Sequence, residues 1–375
     1  MGTEMPAHRH VLVALGMLVH HLSKVTNVFW PTTRKILFWH PLGAMVPASK
    51  SKHPYFWRFM GGLLYRVALL PLVVVGAWLV MIYSLTHPPR TAVAVTPEQF
   101  SLVCRDVKFQ ADDGVTIKGW YINSLVAGGS PLTTENWKER RPAVVVCHGY
   151  RGARDQLLYP LGNELAKAGY DLLLIDFRGH GLSEDAPVSF GTTEAADVMA
   201  AVRFLQDQPG IDDKRIGILG VGMGGYAAML AGPRCKGVNA VVAVDAYPSV
   251  PAVFENVARG LHVPGELGTA FSWGMSAYFG HRLIDDNAVD SARAFSGRGL
   301  LLVTGSRAQR TPARDLEPIL SGSGGNTARL IVPGAGDGQA ASNQAVARMI
   351  VWYFDGMLVQ QESHAKVIAK MPPHL

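Results

Sequence analysis

Cysteine is scarce in this 375-residue chain, at three residues: Cys104, Cys147 and Cys235. Three thiols cannot all pair and their spacing fits no metal-binding motif, so they supply neither a disulfide framework nor a metal site. Cys147 lies inside an apolar run and is expected as a buried free thiol. Low-complexity tracts and internal repeats are missing too, and the composition, 48% hydrophobic and 17% charged, is that of a globular protein. Acidic side chains are missing from one region in particular. Residues 1–90 carry nine Lys/Arg against the single acid Glu4, or 9 − 1 = +8; with +6 for the whole chain, the other 285 residues carry 6 − 8 = −2. The positive charge is therefore concentrated in an N-terminal arm, 1–62, with 7 − 1 = +6, and not on a folded face. That speaks against a nucleic-acid-binding domain and for a segment flanking a membrane.

The chain has one long uncharged run, VALLPLVVVGAWLVMIYSL, the 19 residues 67–85. At about 1.5 Å per residue such a helix matches the hydrocarbon thickness of a bilayer, and Trp78 and Tyr83 suit the interface. A transmembrane helix is expected at 63–86, with a buried core helix as the alternative. Residues 11–19 are apolar but too short to span, and no small-residue cleavage site follows them. Residues 29–59 mix Trp30, Phe38, Trp39 and Trp57 with Arg34, Lys35 and Arg58, the chemistry of a membrane interface or of an unstructured tail. Eight of the nine cations precede the span, which places the N-terminus in the cytoplasm and the rest outside, periplasmic in a Gram-negative cell. A second pass through 11–19 would reverse this. His87-Pro88-Pro89-Arg90 ends the helix and opens a linker, 87–99.

From about residue 100, strand-like and helix-like segments alternate. Residues 102–109 and 115–123 flank Ala111-Asp112-Asp113-Gly114, the turn chemistry of a β-hairpin. Further strands are expected at 143–147, 171–175, 215–220, 238–244, 299–304 and 328–332, with helices at 157–169, 194–208 and 340–359. This alternation predicts an α/β domain over 100–362, with a mostly parallel sheet, helices on both faces and right-handed crossovers. A tail, 363–375, follows. Residues 246–298 form a longer excursion holding Phe254, Phe271, Trp273, Tyr278 and Phe279, where a lid would be inserted.

The strand at 215–220 runs into Gly220-Val221-Gly222-Met223-Gly224-Gly225 and then a small-residue helix. Strand, tight turn and helix are the context of a nucleophile elbow, G-x-S-x-G, which carries a serine at its centre. Here the centre is Gly222. The same glycines match G-x-G-x-x-G spacing, but no Walker lysine follows, and neither a nucleotide cofactor nor a metal is expected.

Residues about 100–360 resemble the α/β-hydrolase superfamily, in particular its esterase, acyltransferase and serine-aminopeptidase-like branch. The likeness rests on ADDGVTIKGWYI, HGYRG, DFRGHGLS, the glycine turn after its strand, and PGAGDG after the last strand, all in register. It implies a serine nucleophile, an acid and a histidine, because a hydroxyl attacks only when an oriented imidazole takes its proton. The implied positions are Gly222, Ala308 and Asp337, so all three are replaced. The resemblance also implies an oxyanion hole from the backbone amides of Tyr150 and Met223, which lost side chains leave intact. Glycine at 222 has its own rationale, since the strained elbow conformation costs a non-glycine residue about 1–3 kcal/mol.

Asp245 ends the strand after the elbow helix, where some family members put their acid; it is the alternative acid, against the commoner role of capping a turn. His148 and His180 belong to the family's turn patterns and are expected to be structural. His262 and His281, in the lid, are expected as solvated or packed, and Asp337 as an exposed turn residue. The reading is a membrane-anchored pseudoenzyme whose pocket binds a small apolar or acyl ligand, or whose surface binds a protein partner, without turnover. The competing reading is an active hydrolase or acyltransferase on ester or peptide-like substrates, with water activated by Asp337 or Asp245. A purely structural membrane protein would have no use for the lid or the oxyanion turns.

Overall fold

The computed structural model describes residues 54–124, 140–280, 283, 285–295, 297–323 and 327–371. The arm up to residue 53, with 11–19, and His281 lie outside the described residues. The chain divides into two units, Met1–Leu72 and Val73–Leu375.

Helix α1 runs over Pro54–Thr86. Its stretch Phe59–Thr86 is long and apolar enough to cross a membrane. In the first unit Leu63, Leu64, Leu70 and Leu72 are exposed, and in the second so are Val73, Val74 and Val75. A soluble core helix would bury these side chains. The last turns behave differently. Ile82 and Thr86 are fully buried in the second unit, and Thr86 O accepts from the Val188 amide at 2.8 Å. The expected span of 63–86 falls within this helix, and its final turns also pack into the folded domain.

The second unit holds an eight-stranded sheet in the order β1-β2-β4-β3-β5-β6-β7-β8. Its strands are β1 (Cys104–Gln110), β2 (Thr116–Ile122), β3 (Arg141–Cys147), β4 (Asp171–Asp176), β5 (Ile211–Val221), β6 (Val238–Val244), β7 (Gly299–Gly305) and β8 (Thr327–Val332). β1 and β2 pair antiparallel, as does β2 with β4, and every later pair is parallel. The expected hairpin turn is present, with Gly114 at φ +86° and its amide donating to Ala111 O at 2.9 Å.

Side chains alternate across a strand, so a strand covered on both faces must be apolar at every position. In β3, Ala143, Val145 and Cys147 enter one core and Val144 and Val146 the other; β6 and β7 divide in the same way. The first core is closed by α3 (Glu194–Gln206), through Ala195, Val198, Val202 and Leu205, and by α4 (Met223–Ala231). The second is closed by α2 (Asn163–Lys167) and by α9 (Gln344–Phe354), through Val346, Ile350, Tyr353 and Phe354.

Between β6 and β7 the excursion folds as α5 (Val250–Gly260), α6 (Glu266–Phe279) and α7 (Ala288–Arg293). Ser249 and Asn287 cap α5 and α7 by accepting from Ala252 and Asp290 amides, the usual way to satisfy a first-turn donor. Gly268 lets α6 lie directly on α5, since a Cβ there would collide with the Phe254 backbone. The remaining helix between β7 and β8 is α8 (Glu317–Gly322).

Three sequence boundaries move. The helix expected at 157–169 is broken because Tyr159 is extended (φ −129°, ψ 132°) before Pro160, leaving α2 as the regular part. The linker 87–99 is laid along the domain: Arg90 donates to the carbonyls of Gly181 (2.8 Å) and Ser183 (2.7 Å), and Asp155 accepts from the amides of Ala94 and Val95. The tail from 363 opens with α10 (His364–Ala369), whose Val367 is buried against Gly356, so the packed body continues past 362.

Candidate functional site

β5 delivers the chain into a turn whose glycines have different tasks. A Cβ on Gly220 would collide with the backbone of Gly224, and one on Gly224 with the carbonyls of Cys147 and His148. Those two positions let strand, helix and β3 approach closely. Gly222 is different: it sits at φ +53°, ψ −115°, and a Cβ there would meet nothing within 4 Å. Its amide donates to Val244 O (2.8 Å) and its carbonyl accepts from Tyr226 N (3.0 Å), fixing the turn between β6 and α4. The backbone holds a conformation costly to any other residue around an open space.

The turn after β3 faces it. Gly149 N donates to Gln156 Oε1 (2.7 Å), Arg151 N to His180 Nε2 (3.1 Å) and Gly152 N to Gly149 O (2.9 Å). Among the described residues this leaves the Tyr150 amide without a protein acceptor, and the Met223 amide at the start of α4 likewise. His148 and His180 are structural, as expected. Nε2 of His148 accepts from Phe177 N (3.0 Å) and its Nδ1 pairs with Gly149 O (2.7 Å), so the ring must be the neutral Nδ1–H tautomer. Burial, with His180 alongside, pushes its pKa down to about 3. His180 pairs through Nδ1 with Arg178 O (2.9 Å) and burial lowers its pKa also.

Asp245 follows β6 at φ +48° and is buried. One oxygen accepts from Gly305 N (3.3 Å) and the other from Gly338 N (2.8 Å), so it ties together the loops after β7 and β8. Burial raises its pKa against the pull of these amides. Asp337 corrects the expectation of an exposed turn residue. It is half-buried, its Oδ1 accepts from the amides of Gln309 (3.0 Å) and Arg310 (2.9 Å), and its Oδ2 lies 3.4 Å from the Arg310 guanidinium. A short carboxylate reaches those amides because the two loops run side by side.

These residues share one cavity of about 730 Å³, whose wall includes Tyr150, Gly222, Met223, Asp245 and Asp337. Ala308 is buried and is not on that wall. Neither is His262, which is exposed, nor Cys147, whose thiol is buried in the sheet and pushed up by that burial. The rest of the wall is mostly apolar. Phe190, Phe254 and Phe271 form a ring chain with Tyr150, at centroid spacings of 4.8–4.9 Å. From α1 come Met81, Ser84 and Leu85, and Tyr150 Oη donates to Leu85 O at 2.8 Å. The sequence signalled none of these α1 residues as site residues, because they sit in the run read as membrane-spanning. Thr311, also on the wall, buries an Oγ1 that has no protein partner among the described residues. No group of three or more His, Cys, Asp or Glu among the described residues is placed to hold a metal ion.

Residues 144–369, more than half of the chain, match the model of the alpha/beta hydrolase family. A polyketide transferase of Stachybotrys chlorohalonatus is 29% identical over 156 residues, 41% of this chain and 48% of that protein. A thiohydrolase of Aspergillus aculeatus is 34% identical over 151 residues, 40% of this chain and 43% of that protein. The match thus spans about half the length of these relatives or less. Among solved structures, an esterase of Pyrococcus furiosus superposes with a TM-score of 0.58 at 22% identity, covering 74% of this chain and 98% of the esterase. An α/β-hydrolase from Penicillium sp. superposes at 0.54 and 17% identity, covering 69% and 100%.

Proposed function

We propose, for a chain that belongs to the alpha/beta hydrolase family, a membrane-anchored, non-catalytic role in which the cavity binds an acyl ligand without turning it over. The observation that carries this reading is Gly222. It keeps the backbone angles that present a nucleophile, it has free space where the side chain would project, and it has no side chain. The turn is then an elbow without its hydroxyl, and the amides of Tyr150 and Met223 are an oxyanion hole without a reaction.

The carboxylates support the same conclusion. A general base needs a lone pair directed at the proton it removes. Oδ1 of Asp337 accepts from two amides while Oδ2 faces the Arg310 guanidinium, and the two Asp245 oxygens accept from Gly305 and Gly338. Each holds loops together. Neither stands beside a nucleophile.

The ligand class follows from the wall. A mostly apolar cavity with a few converging donors fits a chain with one polar end. The free amides of Tyr150 and Met223 suit a carbonyl or carboxylate oxygen, and the Phe190–Phe254–Phe271 wall suits the hydrocarbon. Relatives named a polyketide transferase and a thiohydrolase are in keeping with this class. The anchor is supported by Phe59–Thr86, and the charge before it, 8 − 1 = +7 over residues 1–66, supports a cytoplasmic arm with the domain on the other side. The test is binding of a fluorescent fatty acid to the full-length protein in detergent. Saturable binding lost on Phe254→Asp, at unchanged thermal stability, is the expected result. Binding that is absent, or indifferent to Phe254, overturns the ligand class.

A further inference from the structure

The cavity borders an apolar surface that ligand binding alone does not account for. On the lid, Leu261 and Trp273 are 70% and 61% exposed, and Leu267 and Tyr278 are exposed as well. Residues 261–280 carry a single charged side chain, Glu266. Met81 and Tyr83 of α1 are also exposed. Direct packing joins the two sets: at Gly274, next to Trp273, a Cβ would collide with the Trp78 indole, so that face of α6 lies against α1. The cavity wall in turn takes Met81 and Leu85 from α1 and Leu261 and Leu267 from the lid. Contiguous exposed apolar groups on a folded domain mark a binding surface. Trp and Tyr at its edge are the residues that favour the headgroup layer.

We propose that the lid face of α6 and the turn before it docks on the bilayer that holds α1, and that the cavity takes its ligand, a single-chain acyl amphiphile, from that bilayer. This rests on the anchor and the acyl site proposed above. A bilayer around α1 reaches Trp78 before it reaches the sheet, and whatever surrounds Trp78 meets α6. An apolar chain leaving the lipid there passes from the lid surface to the Phe190–Phe254–Phe271 wall without crossing water.

The test uses the full-length protein with Cys104→Ser, in phosphatidylcholine nanodiscs, labelled with bimane at Trp273→Cys, Tyr278→Cys or Val359→Cys. Val359 is exposed and follows Met357, which lies against Gly299 at the start of β7, the opposite end of the strands. Doxyl-labelled lipid is expected to quench the labels at 273 and 278 and aqueous iodide the label at 359. Iodide quenching of 273 and 278 as strong as that of 359 overturns the docking face. In a second measurement, Trp273→Glu with Tyr278→Glu is expected to slow uptake of a fluorescent fatty acid from phosphatidylcholine vesicles severalfold, at unchanged affinity for the same acid added free. Equal uptake rates overturn the route. Failure of the wild-type protein to bind the free acid would instead sink the acyl site, and release by carbonate washing would sink the anchor.

Discussion

The carboxylate of Asp245 accepts a hydrogen bond from the Gly338 amide at 2.8 Å, one residue beyond Asp337. Ala308, where the resemblance puts the acid, is buried off the cavity wall. A histidine introduced at 337 therefore has Asp245 as its nearest orienting carboxylate. Gly222→Ser with Asp337→His is expected to gain ester hydrolysis, and adding Ala308→Asp to change the rate by less than about tenfold. Asp245→Asn in the double variant is expected to cost roughly a hundredfold or more, as loss of an orienting acid does elsewhere. Activity that appears only with Ala308→Asp would return the acid to 308.

The turn glycines separate strain from collision. Gly222→Ala puts a Cβ into open space at φ +53° and is expected to lower the unfolding free energy by about 1–3 kcal/mol. Gly224→Ala drives a Cβ into the Cys147 and His148 carbonyls and is expected to cost more. Urea unfolding in detergent measures both. Equal costs would contradict the close approach at 224.

Acid sensitivity follows from the neutral histidines. His148 drops from 6.5 to about 3 on folding, so between those values the folded state binds fewer protons than the unfolded chain. Its contribution to stability is complete above pH 6.5 and is lost as pH falls through the window, at up to about 1.4 kcal/mol per pH unit. His180 and His364 act in the same direction. Asp245, raised by burial from 3.8, opposes them: its contribution is present below 3.8 and is lost as pH rises. The unfolding midpoint is expected to fall between pH 7 and 5, and less so in His148→Gln. An unchanged slope in that variant would remove His148 from the account.

The end of α1 belongs to the domain, which also decides how the protein must be handled. Ile82→Ala, at a fully buried position, is expected to cost about 2–5 kcal/mol. Leu72→Ala, at a position 68% exposed, is expected to leave unfolding in detergent unchanged. A chain starting at residue 91 loses Ile82 and Thr86 from its core and is expected to bind a hydrophobic dye and unfold without a sharp transition. Sharp unfolding of that fragment would contradict the packing.

The sheet was legible because its signals are local. Turn glycines, runs apolar at every position and the helical spacing of Ala195, Val198, Val202 and Leu205 each state their structure within a few residues. The end of α1 was not legible, because Ile82 in a protein core and Ile82 in lipid have the same sequence environment; only the Thr86–Val188 hydrogen bond and the packing of Trp78 on Gly274 tell the two settings apart. The way Asp245 ties the loops after β7 and β8 together was hidden for a related reason. It depends on which of two loops, far apart in sequence, comes within reach of a short carboxylate. The 87–99 segment read as a linker because nothing in Pro88 and Pro89 announces the partners that Arg90, Ala94 and Val95 find on the domain.

The central claim is that the site binds without turning over, and ester hydrolysis by the full-length protein tests it most directly. With a short-chain p-nitrophenyl ester, the natural protein is expected to run at the buffer rate and Gly222→Ser with Asp337→His above it. A natural protein that hydrolyses the ester, and loses that activity on Asp245→Asn or Asp337→Asn, would contradict the account and make those carboxylates catalytic.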